Sequence, residues 1–238
     1  MEISFEKIRI QGSPWRHKSI MRHLNVDELA YLEENAKINH YVMGETIFLQ
    51  GKYIDGCYLV LSGIVKQFKT GKTGRNYILR LSHPFNILGY RSVLNNEPAC
   101  NTSKVLVDST VCYIPKECLY HLIKTNGDFA LDLLQIACGE LEETHSMITD
   151  ITMKSQRALL AELLLTLQNK FGVDDSGYMK IMLTHEDYAG IIGSSSSEAM
   201  SRMISEFKAK QYINKNKSGR KIIILNEDAL EKIATTTV

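Results

Sequence analysis

The texture of the chain changes at Ile38 and again at Pro115. From Ile38 to that proline, short runs rich in Val, Ile, Tyr and Phe are punctuated by glycines, and several alternate apolar with polar residues. The expected strands cover 41–43, 46–50, 56–62, 64–69, 76–81, 87–89, 103–107 and 110–114. Short strands of this number, separated by turn residues, predict a β-sandwich or jelly roll. Lys72-Thr73-Gly74-Arg75 reads as a hairpin turn.

Helical signals flank and follow this body. Asn25-Val26-Asp27-Glu28 is a helix start for a short stretch ending near Ala36, and residues 116–124 form another short helix. Residues 129–151 contain no proline and one glycine, Gly139. Within them Leu134, Leu141 and Ile148 recur every seven residues, with Ala137, Thr144 and Ile151 at the complementary position. That spacing predicts a coiled-coil seam and a homodimer; the other reading is one apolar face packed on its own domain. Residues 155–171 form a further helix, with Leu159, Leu160, Leu163, Leu164 and Leu167 apolar, and 178–183 a short strand.

The end of the chain carries the most specific pattern. Thr184 followed by Asp187 is a capping box that opens a short helix to Ile192. Gly193 makes a turn, and Ser194 to Ser197 supply hydroxyls to cap a second helix reaching about Ala209, with Met200, Met203, Ile204 and Phe207 toward the core. Two helices joined by a tight glycine-containing turn are a helix-turn-helix signature. Residues 212–213 and 222–225, joined by a basic loop, read as a hairpin wing.

Composition narrows the function classes. With 238 residues, 44% hydrophobic and 23% charged, the chain has the makeup of one large or two modest globular domains. No apolar run reaches 18 residues and the N-terminus is charged, so neither a transmembrane helix nor a signal peptide is expected, and the expected location is cytoplasmic. The five cysteines show no C-x-x-C spacing and read as reduced thiols, with no zinc site and no iron–sulfur cluster. The net charge of +1 conceals a basic stripe: residues 199–222 hold seven Lys and Arg against one acid, Glu206. A focused basic stripe fits nucleic acid. There is no G-x-S-x-G, P-loop or H-E-x-x-H motif, and no catalytic residue is assigned.

In this order the parts resemble the Crp/Fnr family of bacterial transcription regulators. The sensor half of the resemblance rests on Gly44-Glu45, Gly51 and Gly63. The DNA half rests on Leu183-Thr184-His185-Glu186-Asp187-Tyr188-Ala189-Gly190-Ile191-Ile192-Gly193, followed by Glu198-Ala199-Met200-Ser201-Arg202. The resemblance implies an α+β protein: an N-terminal segment (1–23), a cyclic-nucleotide-binding-like β-roll of the double-stranded β-helix type (24–125), a dimerisation helix (126–153), and a winged helix-turn-helix DNA-binding domain (154–238). It implies base readout of a palindromic duplex operator by Ser197, Glu198, Ser201 and Arg202. Phosphate contacts are expected from Thr184, Ser194, Ser195, Ser196, Lys208, Lys215, Lys217 and Lys221. RNA polymerase is a further implied partner, and no membrane is. Between Gly193 and Glu198 the chain has one residue more than the family's usual turn.

Gly89, Tyr90, Arg91, Ser92, Asn101, Thr102 and Thr144 correspond to the family's effector pocket. Tyr90 stands where cyclic-nucleotide binders carry a glutamate, and Asn101-Thr102 where they carry Arg-Ser. A cyclic phosphate would therefore lack its arginine, which argues against cyclic AMP. No cofactor is expected; haem stays open, with His83 the best-placed histidine. Two other readings remain: a regulator that binds DNA without an effector because its roll is filled, and a cupin-like small-molecule-binding protein or enzyme, which lacks the expected His-x-His.

Overall fold

The computed structural model describes residues 19–236. It comprises two compact units. One holds the described residues up to Thr73 together with Leu79–Leu141; the other holds Gly74–Ile78 and the chain from Glu142 onward.

In the first unit a 3-10 turn, Ile20–His23, capped by Ser19, leads to α1, Val26–Asn35. Asn25 and Glu28 form the reciprocal capping box that starts α1. Strands β1 (Lys37–Tyr41), β2 (Thr46–Phe48), β3 (Gly56–Thr70), β4 (Asn76–Ser82) and β5 (Ile87–Leu88) follow. Then come α2 (Tyr90–Asn95), β6 (Thr102–Pro115), α3 (Lys116–Thr125) and α4 (Gly127–Met153). The sheet runs β1-β6-β3-β4, with β2 also paired to β6 and β5 to β3, and the β1–β6, β2–β6, β3–β5 and β3–β6 pairings are antiparallel.

Four of the expected strands fuse into two. Residues 56–70 are one strand, and so are 102–115, paired along their length. Gly63 explains the break seen in the sequence. It adopts φ +88° where the two strands bend over one another, and a Cβ there would collide with Ser109 Oγ and the Asp108 carbonyl. The expected strand at 41–43 is corrected: β1 lies earlier, with Lys37 paired to Tyr113 and Tyr41 to Ser109, while Val42 and Met43 are exposed in the turn after it. Ile20 and Met21, within the segment set apart at the N-terminus, are buried in the main core with Leu24, Leu32, Cys57, Leu119 and Phe129. Residues 1–18 lie outside the described residues.

The helix α4 is a physical compromise between two faces. Phe129, Asp132 and Leu133 are buried in the first unit, and Arg22 pairs with Asp132 there. Leu134, Leu141 and Ile148 are 59%, 56% and 58% exposed.

The second unit continues with α5 (Gln156–Phe171), α6 (His185–Ile192), α7 (Ser197–Ala209), the hairpin β7 (Ile213–Lys215) with β8 (Ile222–Ile224), and α8 (Glu227–Ala234). Only Lys154 and Ser155 separate α4 from α5. Lys154 fastens that joint, 2.8 Å from Asp150 and 2.7 Å from Glu162, and Ser155 caps α5. Segment 178–183 is not a strand, and the chain bends at Lys180. A single bridge, Val173 to Met179, replaces the expected ladder, while Met179, Ile181 and Leu183 are buried in alternation. The sequence reading also missed α8, which Asn226 caps and which buries Leu230.

Candidate nucleic-acid interface and effector pocket

Capping fixes the helix-turn-helix locally. Thr184 Oγ1 accepts from the Asp187 amide at 3.1 Å, and Asp187 Oδ2 accepts from the Thr184 amide at 3.0 Å and from its hydroxyl at 2.9 Å. Gly193 ends α6 with φ +66°, and the Ser194 amide closes the turn on the Ala189 carbonyl at 2.9 Å. Ser196 then caps α7 by accepting from the Ala199 amide at 3.1 Å. With Ser196 as its cap, α7 begins at Ser197.

Periodicity then divides α7. Met200, Ile204 and Phe207 are buried, and Met203, expected with them, is half-buried. Phe207 packs edge-on to Tyr212, which joins α7 to the hairpin. Glu198 and Arg202 are exposed one helical turn apart, with Ser197 and Ser201 half-buried beside them. The Glu198 carboxyl is held below the usual carboxylate range by its own backbone amide first, then by the Ser196 and Ser197 hydroxyls and by Arg202. It is therefore a permanent acceptor at neutral pH.

The expected phosphate-contacting residues have diverse surroundings. Lys208, Lys217 and Ser195 are exposed. Thr184 and Ser196 use their hydroxyl oxygens as caps. Lys221 is ion-paired to Asp174 at 2.6 Å, and Lys215 stands against His185. In the wing loop Asn216 Oδ1 accepts from the amides of Arg220 and Lys221, shaping the turn that presents Lys217. Beside α7 a groove of about 530 Å3 is lined by Arg157, Ser194, Ser195, Arg202 and Glu206 among others. Arg157 bridges to Glu206 at 2.6 Å across it.

In the first unit, Gly89 caps α2 with φ +77°, and a Cβ there would press on Ile54. Arg91 reaches Cys100 Sγ at 3.6 Å, and Ser92 Oγ accepts from the Cys100 amide at 3.4 Å. Asn101 donates to Gln67 Oε1 at 3.2 Å, Gln67 donates to Ser82 Oγ at 2.8 Å, and Thr102 Oγ1 accepts from the Gln50 amide at 3.0 Å. Thr144 is exposed on the part of α4 that belongs to the second unit. Tyr90 is buried, and its hydroxyl is pushed up by burial and then by Glu140. Arg80 and Glu140, 2.5 Å apart, were missed from sequence. The available signal was an acid on the same helical face as Leu133 and Ile136. His83 Nδ1 is taken up by the Pro84 carbonyl at 2.9 Å. Among the described residues no three His, Cys, Asp or Glu converge on a metal-binding geometry, and no helix is long and apolar enough to cross a membrane.

Comparison with known proteins matches this arrangement at both ends. Residues 38–126 fit the family described as cyclic nucleotide-binding domain, and residues 159–233 the family described as Crp-like helix-turn-helix domain. The chain belongs to the Crp/Fnr family. As such it is a transcription regulator with a helix-turn-helix DNA-binding domain. It is 28% identical over 187 residues to the "Anaerobic regulatory protein" of Bacillus subtilis, covering 77% of this chain and 78% of that one. It is 22% identical over 208 residues to the "CRP-like cAMP-activated global transcriptional regulator" of Mycobacterium tuberculosis, covering 87% and 92%. The fold is shared with a Crp/Fnr-family regulator from Eubacterium rectale, with a TM-score of 0.75 at 22% identity, covering 91% of this chain and 98% of that one.

Proposed function

We propose that this Crp/Fnr regulator acts as a homodimer that reads a palindromic duplex operator, with its β-roll as an effector domain not built for cyclic AMP. The observation that carries the reading is the division of α7. Its apolar face is buried, while Glu198 and Arg202 project together from the exposed face. Arg202 would bond guanine O6 and N7 in the major groove, and Glu198 would accept from cytosine N4, with Ser197 and Ser201 beside them. Lys208, Lys217 and Ser195 are free of caps in the structure and suit phosphate contacts, which position the protein without specifying sequence. The exposed row Leu134, Leu141 and Ile148, spaced seven residues apart, supplies the dimer seam.

Cyclic AMP is disfavoured by charge. The named relative from Mycobacterium tuberculosis is cAMP-activated. In this chain Asn101 and Thr102 occupy the positions of the phosphate-binding Arg-Ser, and both are already spent on Gln67 and the Gln50 amide. Sedimentation of the full chain with duplex operator DNA tests the reading. Two chains per duplex support it, and one chain per duplex overturns it.

A further inference from the structure

Arg157 breaks a local rule that the other helices keep. Among the described residues, each other helix of eight or more residues has an acid in its first turn, where the backbone dipole favours negative charge. The first turn of α5 has no acid and carries Arg157 instead. The acid that answers Arg157 comes from the recognition helix: Glu206 Oε2 on α7 accepts from Arg157 Nη2 at 2.6 Å. Glu206 also meets Lys210, just past the end of α7, at 3.0 Å. Lys210 first, and then Arg157, hold the Glu206 carboxyl below the usual carboxylate range, so it stays ionised. All three residues belong to the second unit.

The bridge is lopsided. The Arg157 side chain is 59% exposed and that of Glu206 is 27% exposed, so the acid is turned inward and the guanidinium outward. Ion pairs this exposed hold a fold together only weakly. Both residues line the groove beside α7, and so does Arg202, the side chain assigned to guanine. Two arginines against one glutamate leave the groove net positive next to the base-reading position. The bridge uses Nη2 of the Arg157 fork and leaves Nε and Nη1 facing outward from it. A guanidinium with one edge anchored and its other donors open is arranged to take a second oxyanion bidentately.

We infer that Arg157 is a further DNA-contacting residue, outside the helix-turn-helix itself, that takes a backbone phosphate flanking the base read by Arg202, and that Glu206 is the residue that positions it. This extends the DNA-reading proposal above and rests on it. A bare carboxylate on the recognition helix would repel the duplex. Neutralised by Lys210 and Arg157, Glu206 instead ties the α5 guanidinium to α7. A phosphate held by Arg157 is then fixed relative to Arg202, and a contact of this kind sets register without reading sequence.

The test is fluorescence anisotropy of the full chain with operator and scrambled duplexes over a range of salt. Arg157→Gln is expected to weaken both duplexes by the same factor. Its fall in affinity between about 50 and 200 mM salt should be about threefold smaller than the parent's, the signature of one lost phosphate contact. Arg157→Lys keeps the charge and should keep the parent's salt dependence. Glu206→Gln separates positioning from simple repulsion. An acid that aims Arg157 makes this change weaken binding in the parent but not in the Arg157→Gln background; an acid that only repels DNA makes it strengthen binding equally in both. Unchanged salt dependence in Arg157→Gln, folded by circular dichroism, overturns the phosphate contact, and equal strengthening in both backgrounds overturns the role of Glu206. A parent that does not prefer operator over scrambled duplex counts against the DNA-reading proposal. A preference lost only in Arg157→Gln would make Arg157 a reader of bases and contradict the inference drawn from the groove.

Discussion

Lys215 Nζ stands 3.0 Å from His185 Nε2, so the first strand of the wing is tied to the first turn of the helix-turn-helix. The contact requires a neutral imidazole. Burial lowers the His185 pKa from its ordinary 6.5, and the Lys215 charge lowers it further. Burial also lowers Lys215, with Lys208 adding to it. A histidine whose folded pKa is depressed contributes stability that is complete above the unfolded value and is lost as pH falls through the folded one. The second unit is therefore expected to lose stability below about pH 6.5. Thermal melts at pH 8 and pH 5.5 check this. His185→Gln should lose less on acidification than the parent, and an equal loss contradicts the assignment.

Arg202→Ala should cost about 1–3 kcal/mol of operator discrimination and relax the preference at one symmetric G·C pair. Lys217→Ala should weaken binding to all sequences alike and shallow the salt slope by about one. Fluorescence anisotropy with operator and scrambled duplexes at several salt concentrations separates the two behaviours.

Leu141→Glu should dissociate the dimer while leaving the chain folded, because Leu141 is 56% exposed in the single chain. Each Leu141 buried at the seam would be worth roughly 1.5–3 kcal/mol, and by symmetry the loss is doubled. Sedimentation equilibrium reads the change. A variant that remains dimeric would place the seam elsewhere.

Gly63→Ala should destabilise the β-roll by about 1–3 kcal/mol or more, since φ +88° strains any side chain and the new methyl meets Ser109 and Asp108. Chemical denaturation followed by circular dichroism measures it.

Much of this was legible in the sequence because it rests on local rules. The Thr184–Asp187 capping box, Gly193, a cap from the run Ser194 to Ser197 (it is Ser196) and the spacing of Met200, Met203, Ile204 and Phe207 each act within a few residues, and each is found in the fold except that Met203 is only half-buried. What escaped depends on long-range pairing. Strands β3 and β6 read as four because Gly63 in β3 and the polar Asp108-Ser109 in β6 interrupt the apolar alternation, whereas the two strands stay paired across that point with a shift of register. Segment 178–183 has the alternation of a strand but lacks a strand partner along its length. Glu140 was passed over because its meaning comes from Arg80, sixty residues earlier, which no periodicity announces.

The most direct test of the account is selection of binding sites from a random duplex DNA pool, using the purified full chain and its Arg202→Ala variant side by side. The account predicts a two-fold palindrome, with half-sites about 34 Å apart on the duplex, and a relaxed preference at one symmetric pair in the variant. An asymmetric site, no enriched sequence, or the same palindrome with unchanged preference in the variant would contradict it.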